Sequence, residues 1–123
     1  MLERVLRESD LAAWLSPEDL AHLQGLRWLA YKAPDFLSLF VGSQDFSRWE
    51  AHWWSTASAF QSLTACRESI KMFFKDTGKE QVLGLTPCLN KKGLKMARLL
   101  GYRPLGFMKN WKDEVCLVSV KEK

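Results

Sequence analysis

Apolar and polar positions change their spacing several times along this chain, and each change marks an element. Ser16-Pro17-Glu18-Asp19 offers a hydroxyl for free backbone N–H groups, a proline preset for the first helical residue and two acids for the positive helix end. A helix is predicted to start there, carrying Leu20 and Leu23 and ending near Gly25. Upstream, Asp10 is placed to cap a short helix through Leu15, which leaves Leu2 to Arg7 as a weak strand or a frayed helix, the strand being the reading taken. Leu26 to Lys32 and Phe36 to Val41 are short and rich in aromatic and branched residues. The Ala33-Pro34-Asp35 turn between them predicts a hairpin, and Gly42-Ser43-Gln44-Asp45 a further turn.

The next stretch carries two periods at once. Trp49, Trp53, Ala57, Phe60, Leu63, Cys66, Ile70 and Phe73 follow a helical spacing, and Ser47 to Glu50 has the spacing of a capping box. Arg48 to Trp53 also alternates polar with apolar, and one helix of about 30 residues is long for a chain of this size. The reading taken is a strand from Arg48 to Ser55, then a helix from Ala59 to Asp76 stopped by Gly78. Val82 to Leu85 reads as a buried strand ended by Pro87, and Asn90 caps a helix through Leu100 that Gly101 closes. Tyr102 to Lys109 and Glu114 to Val120 form a last pair of strands around the Asn110 to Asp113 turn. Strands and helices in this order predict one mixed α/β layer domain over residues 1 to 123.

Composition sharpens this in four ways. No apolar run approaches the roughly 20 residues a bilayer requires, so no membrane partner is expected. The charged start, Met1-Leu2-Glu3-Arg4, lacks the apolar core of a secretory signal, which points to the cytoplasm. Cys66, Cys88 and Cys116 are widely spaced and odd in number, with His22 and His52 as the other soft ligands, so neither a disulfide framework nor a metal site is expected; small buried thiols are. Residues 1 to 64 hold 5 basic and 8 acidic groups against 13 and 6 in residues 65 to 123, which suits an anionic partner on the C-terminal half. The 6 tryptophans are an excess, with four of them between Trp28 and Trp54, and at least four are expected to be largely buried.

The element order, together with Asn90, Gly93, Met96, Ala97, Gly101 and Tyr102, resembles the Gcn5-related N-acetyltransferase fold. That family commonly carries Asn, then Ala three residues on, Leu six on, Tyr seven on, and Gly-Phe at eleven and twelve. The spacing matches while several identities differ. In physical terms the segment is a capped amphipathic helix with Leu94, Ala97 and Leu100 inward and Lys91, Lys95 and Arg98 outward. Within the fold, Ala51-His52-Trp53-Trp54, Met72-Phe73-Phe74 and Leu85-Thr86-Pro87 look similar to the small acetyltransferase-like proteins encoded among head and DNA-ejection genes of short-tailed phages.

The resemblance implies three requirements for acetyl transfer, and this sequence departs from two. Family members bind the pyrophosphate of coenzyme A on a glycine-rich turn opening the central helix. Here Ser55 to Thr64 contains no glycine, and Phe60 and Leu63 are expected to crowd the approach; Gln61, Ser62, Thr64 and Asn90 are the candidate cofactor contacts. The family's acid, seven residues after the Asn, falls on Ala97, which has no proton to give. Glu50 and His52 are candidates for deprotonating an amine, and Tyr102 for a substitute acid. The leading expectation is therefore a non-enzymatic, protein-binding member of the fold, a phage virion or DNA-ejection accessory, binding no cofactor and recognising other virion proteins. The alternative is an active acetyl-CoA-dependent N-acetyltransferase binding acetyl-CoA or coenzyme A. A nucleic-acid module using Lys91, Lys92, Lys95, Arg98 and Arg103 ranks third, since no aromatic residues interleave that stripe, so nucleic acid is not an expected partner.

Overall fold

Seven strands in the order β1-β2-β3-β4-β5-β7-β6 make one sheet in the computed structural model, which describes residues 2–43 and 48–123. They are β1 (Glu3–Arg4), β2 (Arg27–Ala33), β3 (Phe36–Gly42), β4 (Trp49–Ser55), β5 (Gln81–Pro87), β6 (Arg103–Lys109) and β7 (Val115–Glu122). The helices are α1 (Pro17–His22), α2 (Ala59–Thr77) and α3 (Lys91–Leu99), with a 3-10 turn at Glu8–Leu11.

Helix boundaries follow the capping chemistry. Ser16 Oγ accepts from the Asp19 amide at 3.1 Å, Ser58 Oγ from Gln61 at 3.2 Å, and Asn90 Oδ1 from Gly93 at 3.0 Å. Gly78 and Gly101 follow α2 and α3 at φ of +69° and +89°, a region that L side chains avoid. The stretch with two periods resolves as read, a strand and then a helix. Asp10 is a correction: it lies inside the 3-10 turn, which begins at Glu8 without a side-chain cap, and its carboxylate sits 3.9 Å from Arg7 Nε and 4.0 Å from Lys32 Nζ. Of the turn after β3 and the capping-box spacing, Gln44, Asp45 and Ser47 lie outside the described residues. Ser43 and Arg48, on either side, bond through Ser43 N–H to the Arg48 carbonyl at 2.8 Å.

The sheet is buried on both faces at its centre. On one side, Phe36, Phe40, Trp49 and Val82 pack under Cys66, Ile70, Phe73 and Phe74 of α2 and Met96 of α3. There Phe73 stacks on Phe40 (4.4 Å, 14°) and meets the Trp49 ring edge-on (5.5 Å, 65°), contacts adding about 0.5–1.5 kcal/mol each beyond area burial. On the other side, Leu37 and Leu39 pack against Leu11, Leu15 and Leu23 from the N-terminal segments. β3 faces both clusters, which is why its sequence shows no polar alternation. Along β4, alternation sends Trp49, Ala51 and Trp53 to the α2 side and Trp54 to the α1 side. Of the tryptophans, Trp49 is 5% exposed, Trp14, Trp28, Trp53 and Trp54 are half-buried, and Trp111 is 48% exposed.

Every neighbouring pair of strands is antiparallel except β4 and β5. Their parallel ladder holds Glu50↔Leu83 and Ala51↔Gly84, yet β4 runs on to Ser55 and β5 to Pro87. The two strands part beyond Ala51 and Gly84, opening a wedge in the middle of the sheet at the end where α2 and α3 begin.

Candidate active site at the strand splay

The chain leaves the splayed end of β4 through a turn built from serines. Ser55 Oγ accepts from the Ala57 amide at 3.0 Å, lies 2.7 Å from Ser62 Oγ and reaches the Asp35 carbonyl at 3.3 Å. None of the residues in this turn takes a positive φ, so its geometry does not demand glycine. An α-helix leaves its first N–H groups without intrahelical acceptors; Gln61 spends its own on Ser58 Oγ, leaving Ala59 and Phe60 at an exposed helix start. Phe60 is 77% exposed, turned away from the wedge, and Leu63 packs into the core under α2, so the expected crowding by these two residues is corrected.

Behind that turn, on the α2 and α3 side, a cavity of about 40 Å³ follows the splay. Its walls are small where the strands part and at the start of α3: Ala51, Ser69, Gly84, Gly93 and Ala97. Gly93 stands where the resembling family has Ala, and the cause is local. A Cβ there would lie 2.7 Å from Asn90 Nδ2 and 2.9 Å from Thr86 Cγ2, so the Asn90 cap requires glycine at this position. Tyr102 lies over Gly84, whose added Cβ would meet the ring at 3.1 Å. Burial first, and the neighbouring Cys66 second, push the Tyr102 phenol well above the usual tyrosine range; burial alone pushes the Cys66 thiol up to about 12. Both side chains therefore hold their protons at neutral pH.

The opposite face of the same splay opens into a groove of about 390 Å³ between α1, β4, β5 and the β6–β7 turn. Glu50, His52 and Trp54 project from β4 into it, and Leu85 and Pro87 from β5. His52 Nε2 lies 3.6 Å from Glu50 Oε2, both side chains half-exposed. His52 borders both spaces, its side chain projecting into the groove and its place on β4, next after Ala51, setting it at the edge of the splay.

The candidates named from sequence thus separate into three sets. Glu50 and His52 come together in the groove, whereas Tyr102 lines the cavity on the other face of the sheet. Gln61, Ser62 and Thr64 sit on the first turns of α2, but Ser62 is buried against Ser55 and Thr64 Oγ1 donates to the Phe60 carbonyl at 3.1 Å, so two of these hydroxyls are used within the protein. Asn90 Oδ1 is committed to capping α3. Sequence reading missed His22 and Trp111, which close the groove from α1 and the β6–β7 turn, and Gly84, whose lone glycine within a buried strand was the available signal.

No protein-family model matches the chain, and no curated protein does either. Solved structures do match. Aminoglycoside acetyltransferase AAC(6')-Ib in complex with coenzyme A superposes with a TM-score of 0.74 at 11% identity, covering 100% of this chain and 95% of that one. The ribosomal-protein-S5-alanine acetyltransferase of Vibrio fischeri gives 0.66 at 14% identity, covering 98% and 92%. Mycobacterium smegmatis RimJ in complex with CoA-disulfide gives 0.69 at 10% identity, covering 98% and 81%. The fold is that of the Gcn5-related acyl-CoA N-acetyltransferases, as the sequence pattern implied.

The same matches correct the functional expectation. These structures are acetyltransferases, several with coenzyme A bound, and not phage head or ejection proteins, which removes the likeness to virion accessories and with it the virion partners. The non-enzymatic protein-binding reading, the nucleic-acid module and the expectation of no cofactor fall with it. The non-enzymatic and cofactor-free readings rested on a turn without glycine and on Ala97 at the acid's position, and the nucleic-acid reading on the basic stripe from Lys91 to Arg103; in the fold Phe60 is exposed and β4 and β5 part beyond Ala51 and Gly84. Among the described residues, no helix is long and apolar enough to cross a membrane.

Proposed function

We propose that this chain is an N-acyltransferase that moves an acetyl group from acetyl-CoA to an amine. The observation carrying this reading is that β4 and β5 part beyond Ala51 and Gly84, with a small-walled cavity on the α2 and α3 side and the Glu50–His52 groove on the α1 side, so donor and acceptor can meet through the splay. The residues fit a coenzyme A. The N–H groups of Ala59 and Phe60, at the positive end of a 19-residue helix, suit a pyrophosphate. Residues 59 to 99 hold 8 basic groups against 3 acidic ones, which favours approach of a polyanion. The small walls at Ala51, Gly84, Gly93 and Ala97 suit a slender arm, although at about 40 Å³ the cavity has room for about three waters, so α2 and α3 must part to admit one.

Acetyl-CoA brings the acyl carbon as a thioester, and the exchange forms one C–N bond, breaks one C–S bond and transfers one proton from the amine to the leaving sulfur. His52, oriented by Glu50, takes the amine proton on the groove side. Tyr102, held protonated by burial, offers a hydrogen-bond donor on the cavity side, in place of the tyrosine that Ala97 lacks. The reading treats residues 1–123 as one such domain, working in the cytoplasm where Cys66, Cys88 and Cys116 stay reduced. It is tested by calorimetry with acetyl-CoA and by release of free CoA thiol with a panel of amines. Micromolar binding with amine-dependent thiol release is expected; no heat and no thermal shift at millimolar acetyl-CoA would overturn it.

A further inference from the structure

Acceptor specificity is written in the groove on the α1 side. Apolar residues supply much of its floor and walls, with Leu26, Trp54, Leu85, Met108 and Trp111 the main surfaces. Three carboxylates line it: Asp19 is paired with Lys112 at 3.2 Å, Glu114 accepts from Asn110 Nδ2 at 3.0 Å, and Glu50 lies 3.6 Å from His52 Nε2. Lys109 and Lys112 line it as well, each paired with an aspartate, Asp113 at 3.3 Å and Asp19 at 3.2 Å, so Glu50 is the lining carboxylate that neither a lysine nor Asn110 holds. Such a site neutralises one ammonium group. It strands the further charges of a polycation, because apolar walls cannot solvate an ammonium.

The carboxylate left for an incoming amine is the Glu50–His52 pair at the splay, while the opposite end of the groove is closed by Trp111 stacked on His22. A ligand whose amine reaches His52 therefore lays its remaining body along Trp54, Leu85, Met108 and Trp111. Aromatic and aliphatic walls of this kind favour a body that is itself aromatic or branched aliphatic.

We propose that the acceptor is a small primary monoamine with an aromatic or branched aliphatic body, and that polyamines are discriminated against. This rests on the acyltransferase reading, and the test separates the two. Calorimetric titration of the intact chain, without acetyl-CoA, compares 2-phenylethylamine and isoamylamine with spermidine at one ionic strength; thiol release with acetyl-CoA then ranks the same three amines by kcat/KM.

Binding of 2-phenylethylamine at least about tenfold tighter than spermidine is expected, with the same order in turnover. Trp111→Ala is expected to weaken 2-phenylethylamine severalfold without changing spermidine, and Trp111→Phe to restore it. Equal or tighter binding of spermidine, or no binding of either apolar amine, overturns the specificity. Preferential binding of the apolar amines without thiol release supports the groove's selectivity and counts against acyl transfer alone. Faster turnover of spermidine counts against the specificity and leaves acyl transfer standing.

Discussion

His22 and Trp111 stack face to face, ring centroids 4.6 Å apart and planes 15° from parallel, and so join α1 to the β6–β7 turn across the groove. Lys112 adds a second tie, its Nζ 3.2 Å from Asp19 Oδ1 and 5.1 Å from the centre of the Trp111 ring. Exposed ion pairs contribute about 0–1 kcal/mol, so this closure is easily opened and can admit an acceptor without disturbing the sheet.

Loosening the closure should therefore act on the acceptor and not on the cofactor. Lys112→Ala frees Asp19 for an incoming ammonium and is expected to lower KM for the amine about two- to fivefold, the range of one surface ion pair, with kcat and the acetyl-CoA affinity unchanged. Steady-state kinetics with each substrate varied in turn is the check. A matching change in acetyl-CoA affinity would mean that the groove is not separate from the cofactor side.

Tyr102 is expected to matter in the opposite sense. Removing its hydroxyl as Tyr102→Phe keeps the ring over Gly84, so folding should survive while kcat falls about 100-fold, the lower end for a proton donor. Because burial raises the phenol above its ordinary value, it keeps its proton to higher pH than a free tyrosine. The wild-type rate should accordingly show no alkaline loss from this group up to about pH 10, its ordinary value.

Cys66 makes stability depend on alkaline pH. Its thiol titrates near 9.0 when unfolded and is pushed up to about 12 by burial in the fold. The neutral form is favoured in the fold, so the contribution is complete below about pH 9 and declines as pH rises towards 12, at up to about 1.4 kcal/mol per unit. Urea denaturation at pH 8.5 and 10.5 should show wild type losing about 1–2 kcal/mol more than Cys66→Ala over that interval.

Gly93→Ala gives a stability prediction that runs against the family pattern. The new Cβ would press on Asn90 Nδ2 and Thr86 Cγ2, at 2.7 and 2.9 Å, in the turn where α3 starts. Displacing the Asn90 cap and overfilling the seam should cost about 1–3 kcal/mol, measured by urea denaturation. A neutral result would show that the turn shifts freely.

The elements themselves were legible because their causes are local. Ser16, Ser58 and Asn90 start helices by bonding an amide three residues on, and Gly78 and Gly101 end them by adopting a left-handed backbone. The alternation of Glu50, His52 and Trp54 against Trp49, Ala51 and Trp53 likewise separated the faces of β4 before any neighbour was known. Local pattern misled where it was weighed as a motif. The missing glycines between Ser55 and Thr64 read as a blocked cofactor turn, but the Ser55–Ser62 contact and the outward Phe60 keep the helix start accessible.

What residue order alone could establish was therefore the sequence of strands and helices, the mixed α/β class and the pairing of Glu50 with His52 on one strand face. Tertiary structure decided the rest. The parting of β4 from β5 depends on a ladder between residues more than thirty apart, Glu50↔Leu83 and Ala51↔Gly84. The groove depends on His22 meeting Trp111, and the cavity on Tyr102 packing over Gly84. Short-range periodicity reports which face a side chain takes; which faces meet is set by packing the whole sheet between its two helical layers, and function here lies in those meetings.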